Sequence, residues 1–435
     1  MRFLTLNLGR LLLAMLAPLA ACDPPGNVAL GPPPADPTAG AYGLDTLSVR
    51  VSTVWRDSVP TSGTNFLLVG QYRDPRLGLI TATGYARLGW NGPYTPAPTE
   101  AFDSLALELR PAPYRYADTT RLQSLYVRRL AAPLVPGRTY FSGEAVAANP
   151  LLLNQGTAAR AGFRAGPSRR VLRVRLADAL GRALLLAGQQ GRLGTEAELA
   201  AALPGLALAP GPADDAALLI LPLAGARLRL FTHAPAAPAE AHERSFGLGN
   251  STAHYYQVAA DRRGTLVAPL SASNRLISSR LSNREAYLAG ALGLQLRLEI
   301  PYLTRLRVLS PNPRILGAEA TLETVAGSGG RGLGPPATLY AYLSGRDGQR
   351  GPALRNADEL PRTLNYLGGN LNRLGLETGR YQLPLAAYCQ AVLDRRLPND
   401  GLLLAAAVPQ LAERVVLGGE ENATAPVRLR VYLVR

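Results

Sequence analysis

The feature that most constrains this chain is its punctuation. Glycine occurs 44 times and proline 36 times in 435 residues, and together they cut the chain into runs too short for long helices. Between the breaks stand segments of strand length, among them "NFLLVGQYRDPRLG", "TATGYARLGW", "FDSLALELR" and "RLQSLYVRRL", each bounded by Gly, Pro, Asn or Asp. The stretch Thr46 to Trp55, "TLSVRVSTVW", alternates apolar and polar residues as a half-buried strand does. Short strands separated by turn residues predict a mainly β fold: antiparallel β-sandwich or jelly-roll-like regions with a few short helices.

The central third is less regular. "RRVLRVRLADALGRALLLAG" reads as a strand running into a short helix near Ala177 to Leu186, and "GTEAELAAALPG" as a second helix stopped by Pro204 and Gly205. "AALLILPLAGARLRLFTH" reads as a hairpin turning at Leu223 to Ala226, with Gly225 available for the turn. A further helix is expected at Ala386 to Arg395. These textures divide the chain into an N-terminal β-sandwich-like region (43–165), a mixed middle (166–287) and a C-terminal β-sandwich-like region (288–435).

The opening of the chain has a different character. Arg2 and Arg10 precede an uncharged apolar run from Leu11 to Ala21. That run is shorter than the about 20 residues a membrane-spanning helix needs, and it has the length of a secretory signal's core. Leu19, Ala20, Ala21 and Cys22 then form a bacterial lipobox, which predicts removal of residues 1–21 and lipidation of Cys22. Several acyl chains on one residue anchor a protein stably, where a single chain does not. Residues 22–42 carry six prolines without periodicity and read as a tether, able to reach roughly 60 Å. The expected location is therefore the cell envelope, most simply the outer membrane. With Cys22 lipidated, Cys389 is the only other cysteine, so no disulfide forms within the chain and Cys389 is expected to be a small buried residue.

The formal charge is +15, with a pI near 10.2, a balance that by itself points to nucleic acid. That reading is set aside. There is no lysine in the chain, and the arginines alternate with apolar residues along strands instead of clustering.

A set of segments carries a family resemblance: the lipobox, "DTLSV" at Asp45, "LLVGQYRDPRLG" at Leu67, "FDSLALEL" at Phe102, "YVRRLAAPL" at Tyr126, "GLQLRLEIPYL" at Gly293, "ILGAEATLE" at Ile315 and the closing "RLRVYLV". In order and spacing they resemble a family of Bacteroidota lipoproteins known as a domain of unknown function, number 4270. Where that family has an aromatic residue before the glycine of its Asp-Pro turn, this chain has Leu77. The resemblance implies an envelope lipoprotein and supplies no activity.

Catalytic chemistry has little to draw on. His233, His242 and His254 have neither helical nor strand spacing for a metal pair, so no metal or cofactor is expected. The glycine-rich stretches lack the lysine of a phosphate loop. Asp74 and Pro75 read as a turn, with the carboxylate bonding backbone amides and Gly78 free to take a positive φ. The chain is accordingly expected to be a non-catalytic binding or structural component, with an envelope protein or a glycan as partner. The alternatives are a glycan-binding module and a glycoside hydrolase-like enzyme, whose carboxylates come from distant strands. Tyr94, Tyr114 and Tyr116 are the candidate ligand-contacting aromatics. Of the strong stacking groups, Trp55 and Trp90, the first alternates as a core residue.

Overall fold

The computed structural model describes residues 41–434 apart from 57–58, 115, 155–162, 165–170, 250–252, 310–311, 331 and 357. The signal segment, the Cys22 lipobox and residues 22–40 of the tether lie outside the described residues. Strands make up 46% and helices 11% of the structure, which is mainly β. Every strand pairing among the described residues is antiparallel.

Two-sided burial governs the architecture. In the strand Phe66–Asp74, consecutive residues Leu67, Leu68 and Val69 are all buried. Leu67 and Val69 face a core shared with Leu105, Leu107, Leu228 and Leu230. Leu68 and Tyr72 face another, shared with Tyr256, Tyr287 and Val416. The strands Glu285–Ala289 and Arg414–Gly418 behave alike: Leu288, Val415 and Leu417 enter a third core, while Tyr287 and Val416 turn back to the second. A strand covered on both faces loses the apolar–polar alternation, which is why these segments read as continuous apolar runs.

Four sheets are stacked as a result. The outer sheet of the first sandwich has the order Leu172–Arg175, Ala101–Leu109, Arg227–Ala234, Ala237–Gly247. Its partner, of eight strands, is built around Phe66–Asp74, Gly78–Ala86, Leu206–Pro210 and Ala217–Pro222. The second sandwich has a nine-stranded inner sheet containing Arg50–Trp55 and Leu294–Glu299. Its outer sheet has the order Ala41–Leu44, Arg428–Val434, Arg314–Glu323, Glu377–Pro384, Leu367–Leu371. The eight- and nine-stranded sheets meet across the second core.

Pairing runs across the boundaries expected near 165 and 287. Ala101–Leu109 pairs with Leu172–Arg175 and Arg227–Ala234, and Ala41–Leu44 pairs with Arg428–Val434. The first sandwich is thus an insertion between Trp55 and Leu276 of the second. The expected hairpin at Leu223 to Ala226 is corrected by the same pairing. Its arms, Ala217–Pro222 and Arg227–Ala234, pair with strands of different sheets. Leu219, Leu221, Leu228 and Leu230 all enter one core, so the turn carries the chain over the core instead of back along one sheet.

The helices lie where the sequence places them, at Asp178–Gln189, Glu196–Ala202 and Ala386–Leu393. Thr195 and Glu198 form a capping box at the second. Cys389 is fully buried in the third core, and burial pushes its thiol up to about 12. Among the described residues no helix is long and apolar enough to cross a membrane.

Candidate functional site

The three tyrosines singled out from sequence do not converge on a surface. Tyr116 is 1% exposed, 5.6 Å edge-on from Tyr72 and 6.2 Å from the stacked ring of Tyr114, in the core between the sandwiches. Such burial leaves no ring face for a ligand. Tyr94 packs against Phe246 and against the helix at Gly188, and its hydroxyl is pushed up to about 12, mainly by burial. Tyr116 is a packing group, while Tyr94 and Tyr114 are half-buried against their neighbours.

The turn at Asp74 has the expected geometry and one partner that sequence reasoning missed. Oδ1 accepts from the amides of Arg76 and Leu77 at 2.8 and 3.0 Å, and Gly78 has φ +88°. Oδ2 lies 2.5 Å from Nε of Arg414, whose side chain is 2% exposed. Asp74 belongs to the first sandwich and Arg414 to the second, so the pair spans their seam. Burial works against the Arg414 charge, and Asp74 together with Tyr116 and Tyr72 outweighs it, raising the guanidinium pKa. A second pair, Arg76 with Glu285 at 2.9 Å, crosses beside it. These are structural joints.

The histidines stay apart. His233 Nδ1 meets Asp103 at 2.6 Å, His242 lies 3.4 Å from Glu100, and His254 Nε2 contacts the carbonyl of Thr64 at 2.5 Å. Among the described residues no group of three His, Cys, Asp or Glu side chains could hold a metal ion.

The arrangement with binding character is centred on Trp55. The strand Arg50–Trp55 ends there, its last amide donating to the carbonyl of Arg275 at 2.8 Å. The next amide, of Arg56, donates to Gly293 at 2.8 Å. Gly293 has φ +71°, and a Cβ there would sit 1.8 Å from the Arg56 carbonyl oxygen, so only glycine permits this close approach. The half-buried indole roots in the core between the sandwiches, and the rest of it lines two clefts.

One cleft, of about 540 Å³, is lined by Trp55, Arg56, Arg275, Gln295, Asp347 and Arg350. The other, of about 410 Å³, lies on the seam and is lined by Trp55, Ser142, Gln257, Arg262 and Arg263. The guanidinium of Arg262 stands 4.7 Å from the indole centroid, in cation–π range, and burial lowers its pKa. Arg350 sits 3.5 Å from the Tyr342 centroid; burial lowers its pKa, and the neighbouring charge of Arg56 acts in the same direction. In the larger cleft three guanidiniums accompany one carboxylate among the described lining residues.

A flat aromatic surface beside planar hydrogen-bond donors suits a sugar ring, and the excess of guanidinium suits carboxylate or phosphate groups on it. This site was barely legible beforehand, because its arginines come from positions 56, 262, 275 and 350 and meet only through the fold. The cleft of about 650 Å³ near Thr64, Arg227 and His254 has no Trp, Tyr or Phe among its described lining residues. No protein-family model matches this chain, and neither a curated protein nor a solved structure shows significant similarity to it.

Proposed function

We propose that this chain is a lipid-anchored cell-envelope protein that binds without catalysis, and that the groove around Trp55 holds an acidic carbohydrate. The anchor rests on the Leu19-Ala20-Ala21-Cys22 lipobox after its short apolar run. The carrying observation for the ligand is the indole of Trp55 standing between two clefts that arginines line on both sides. Mass spectrometry of the membrane fraction tests the anchor: the mature N-terminus is an acylated Cys22, and an unmodified terminus cut elsewhere refutes it.

The groove is tested by titrating uronic-acid and neutral oligosaccharides against the Trp90→Phe protein while following Trp55 fluorescence. Acidic oligomers quench it with an affinity that falls as salt rises. Arg350→Ala weakens that binding by about tenfold, the loss of one charge-assisted contact, and calorimetric titration shows a loss of the same size for Trp55→Ala, which removes the stacking contact. Equal binding of neutral and acidic sugars, or no binding, removes the acidic-carbohydrate reading. Turnover of a polysaccharide abolished by one Asp or Glu substitution removes the non-catalytic one.

A second reading, assembly with an envelope protein, has its own observation. The edge hairpin from Leu367 exposes Leu371 at 69% and Leu374 at 82%, and exposed apolar groups gathered at one place mark contact surfaces. Cross-linking from Leu374→Cys in cells identifies such a partner.

A further inference from the structure

The outer sheet of the second sandwich has two ends with different surfaces. At one end Ala41 pairs with Val434, and Val434 pairs with Arg314. The tether therefore joins the fold two strands from Arg314, about 10 Å away at ordinary strand spacing. The far end of the same sheet carries the hairpin of Leu371 and Leu374, beyond the Leu371–Glu377 pair.

The segment leading into Arg314 gathers apolar groups at the tether end. Val308 is 86%, Leu309 48% and Tyr302 39% exposed, and Leu316, in the bulge after Ile315, is 45% exposed. Side-chain hydrogen bonds tie both parts of this segment to one helix. Arg307 Nε donates to the carbonyl of Leu393 at 2.9 Å, and Gln390, on the same helix, bonds Ile315 and Pro313. Arg305 stands 4.5 Å over the ring of Tyr302, and the same segment and the helix end it packs against carry Arg307, Arg314, Arg395 and Arg396. The acids of this end are mostly engaged: Asp394 pairs with Arg396 at 2.8 Å, Glu299 with Arg297 at 3.2 Å, and Asp400 lies 3.5 Å from Arg346.

We infer that this end of the second sandwich is a membrane-contact surface, seated on the anionic face of the bilayer that carries the Cys22 anchor. The inference rests on the anchored reading above and adds an orientation to it. Eighteen residues lie between Cys22 and Ala41, so the anchor by itself does not set one orientation of the folded part. Exposed aliphatic groups and an aromatic ring, rimmed by arginine, enter the headgroup region of an anionic surface and choose one pose. The hairpin of Leu374 then points away from the membrane, and the Trp55 groove stays in water.

The test uses the lipidated protein, purified from membranes and placed in vesicles of phosphatidylcholine with or without phosphatidylglycerol. Val308→Cys and Leu374→Cys variants are labelled in turn with an environment-sensitive dye; Cys389 is fully buried and does not compete for label. The expected result is a blue shift and access to a lipid-borne quencher at position 308, enhanced by phosphatidylglycerol, with position 374 remaining aqueous. An aqueous signal at both positions, or a lipid signal at 374 instead of 308, overturns the inference.

A second measurement separates the surface from the anchor. The chain from residue 22 with Cys22→Ser retains every described residue and sediments with phosphatidylglycerol vesicles, and Arg305→Glu lowers that binding by about fivefold. Absence of sedimentation refutes the contact surface even if Cys22 is acylated. An unacylated Cys22 refutes the anchor while leaving this measurement standing.

Discussion

Burial of a full charge is tolerated when its partner is buried with it, and Asp74 and Arg414 meet that condition at the seam of the two sandwiches. Both carboxylate oxygens of Asp74 are engaged, one by backbone amides and one by the guanidinium. Removing one member strands the other: Arg414→Met is expected to cost about 3–5 kcal/mol, read from denaturant unfolding, and the added change Asp74→Asn to recover part of it. Glu413, next in sequence, has no such partner, and burial raises its pKa. The folded state therefore holds the Glu413 proton more tightly than the unfolded state does. Its contribution is complete at low pH and is lost as pH rises from the ordinary glutamate range through the raised value. Melting temperature followed from acid to neutral pH shows that loss, and Glu413→Gln removes it and leaves the protein more stable at neutral pH.

At the scale of elements, close backbone approaches hold the candidate groove in place. Gly293 brings the turn after Ala289 against Arg56. Gly293→Ala is expected to cost about 1–3 kcal/mol for the left-handed conformation alone, with a further loss from the carbonyl clash. Thermal unfolding measures the sum, and fluorescence of Trp55 reports whether the strand end has shifted. Elements of this kind were legible from sequence where a local rule decides them. Pro204 with Gly205, and Asp74 with Gly78, mark a helix end and a turn. Sheet membership was not legible, because the turn at Gly225 is equally good for a hairpin and for an arch over the core. The site escaped for a related reason. Tyr116 carries the same local sequence signals as an exposed loop tyrosine, and only the packing of a second sandwich against it takes the ring out of reach.

For the whole molecule, the core between the sandwiches is the decisive contact. It joins Leu68, Tyr72 and Tyr256 of one to Tyr287, Leu294 and Val416 of the other. The hydroxyl of Tyr256 also donates to the carbonyl of Gln410 across it at 2.6 Å. A shared core of this kind couples the two stabilities, so unfolding followed by circular dichroism and by tryptophan fluorescence is expected to show one coincident transition. Tyr287→Ala, which opens that core, is expected to separate it into two. The pairing of Ala41–Leu44 with Arg428–Val434 bears on time as well as on stability. A chain synthesised from its N-terminus delivers the first of these strands long before the last. Residues 41–55 must wait, unpaired, while the inserted sandwich emerges and closes on its own local contacts. Pairing at so great a sequence separation is slow, and an unpaired edge exposed meanwhile invites aggregation. The order of emergence thus makes the inserted sandwich the nucleus, and the last strand to arrive, Arg428–Val434, the one that locks the first into place.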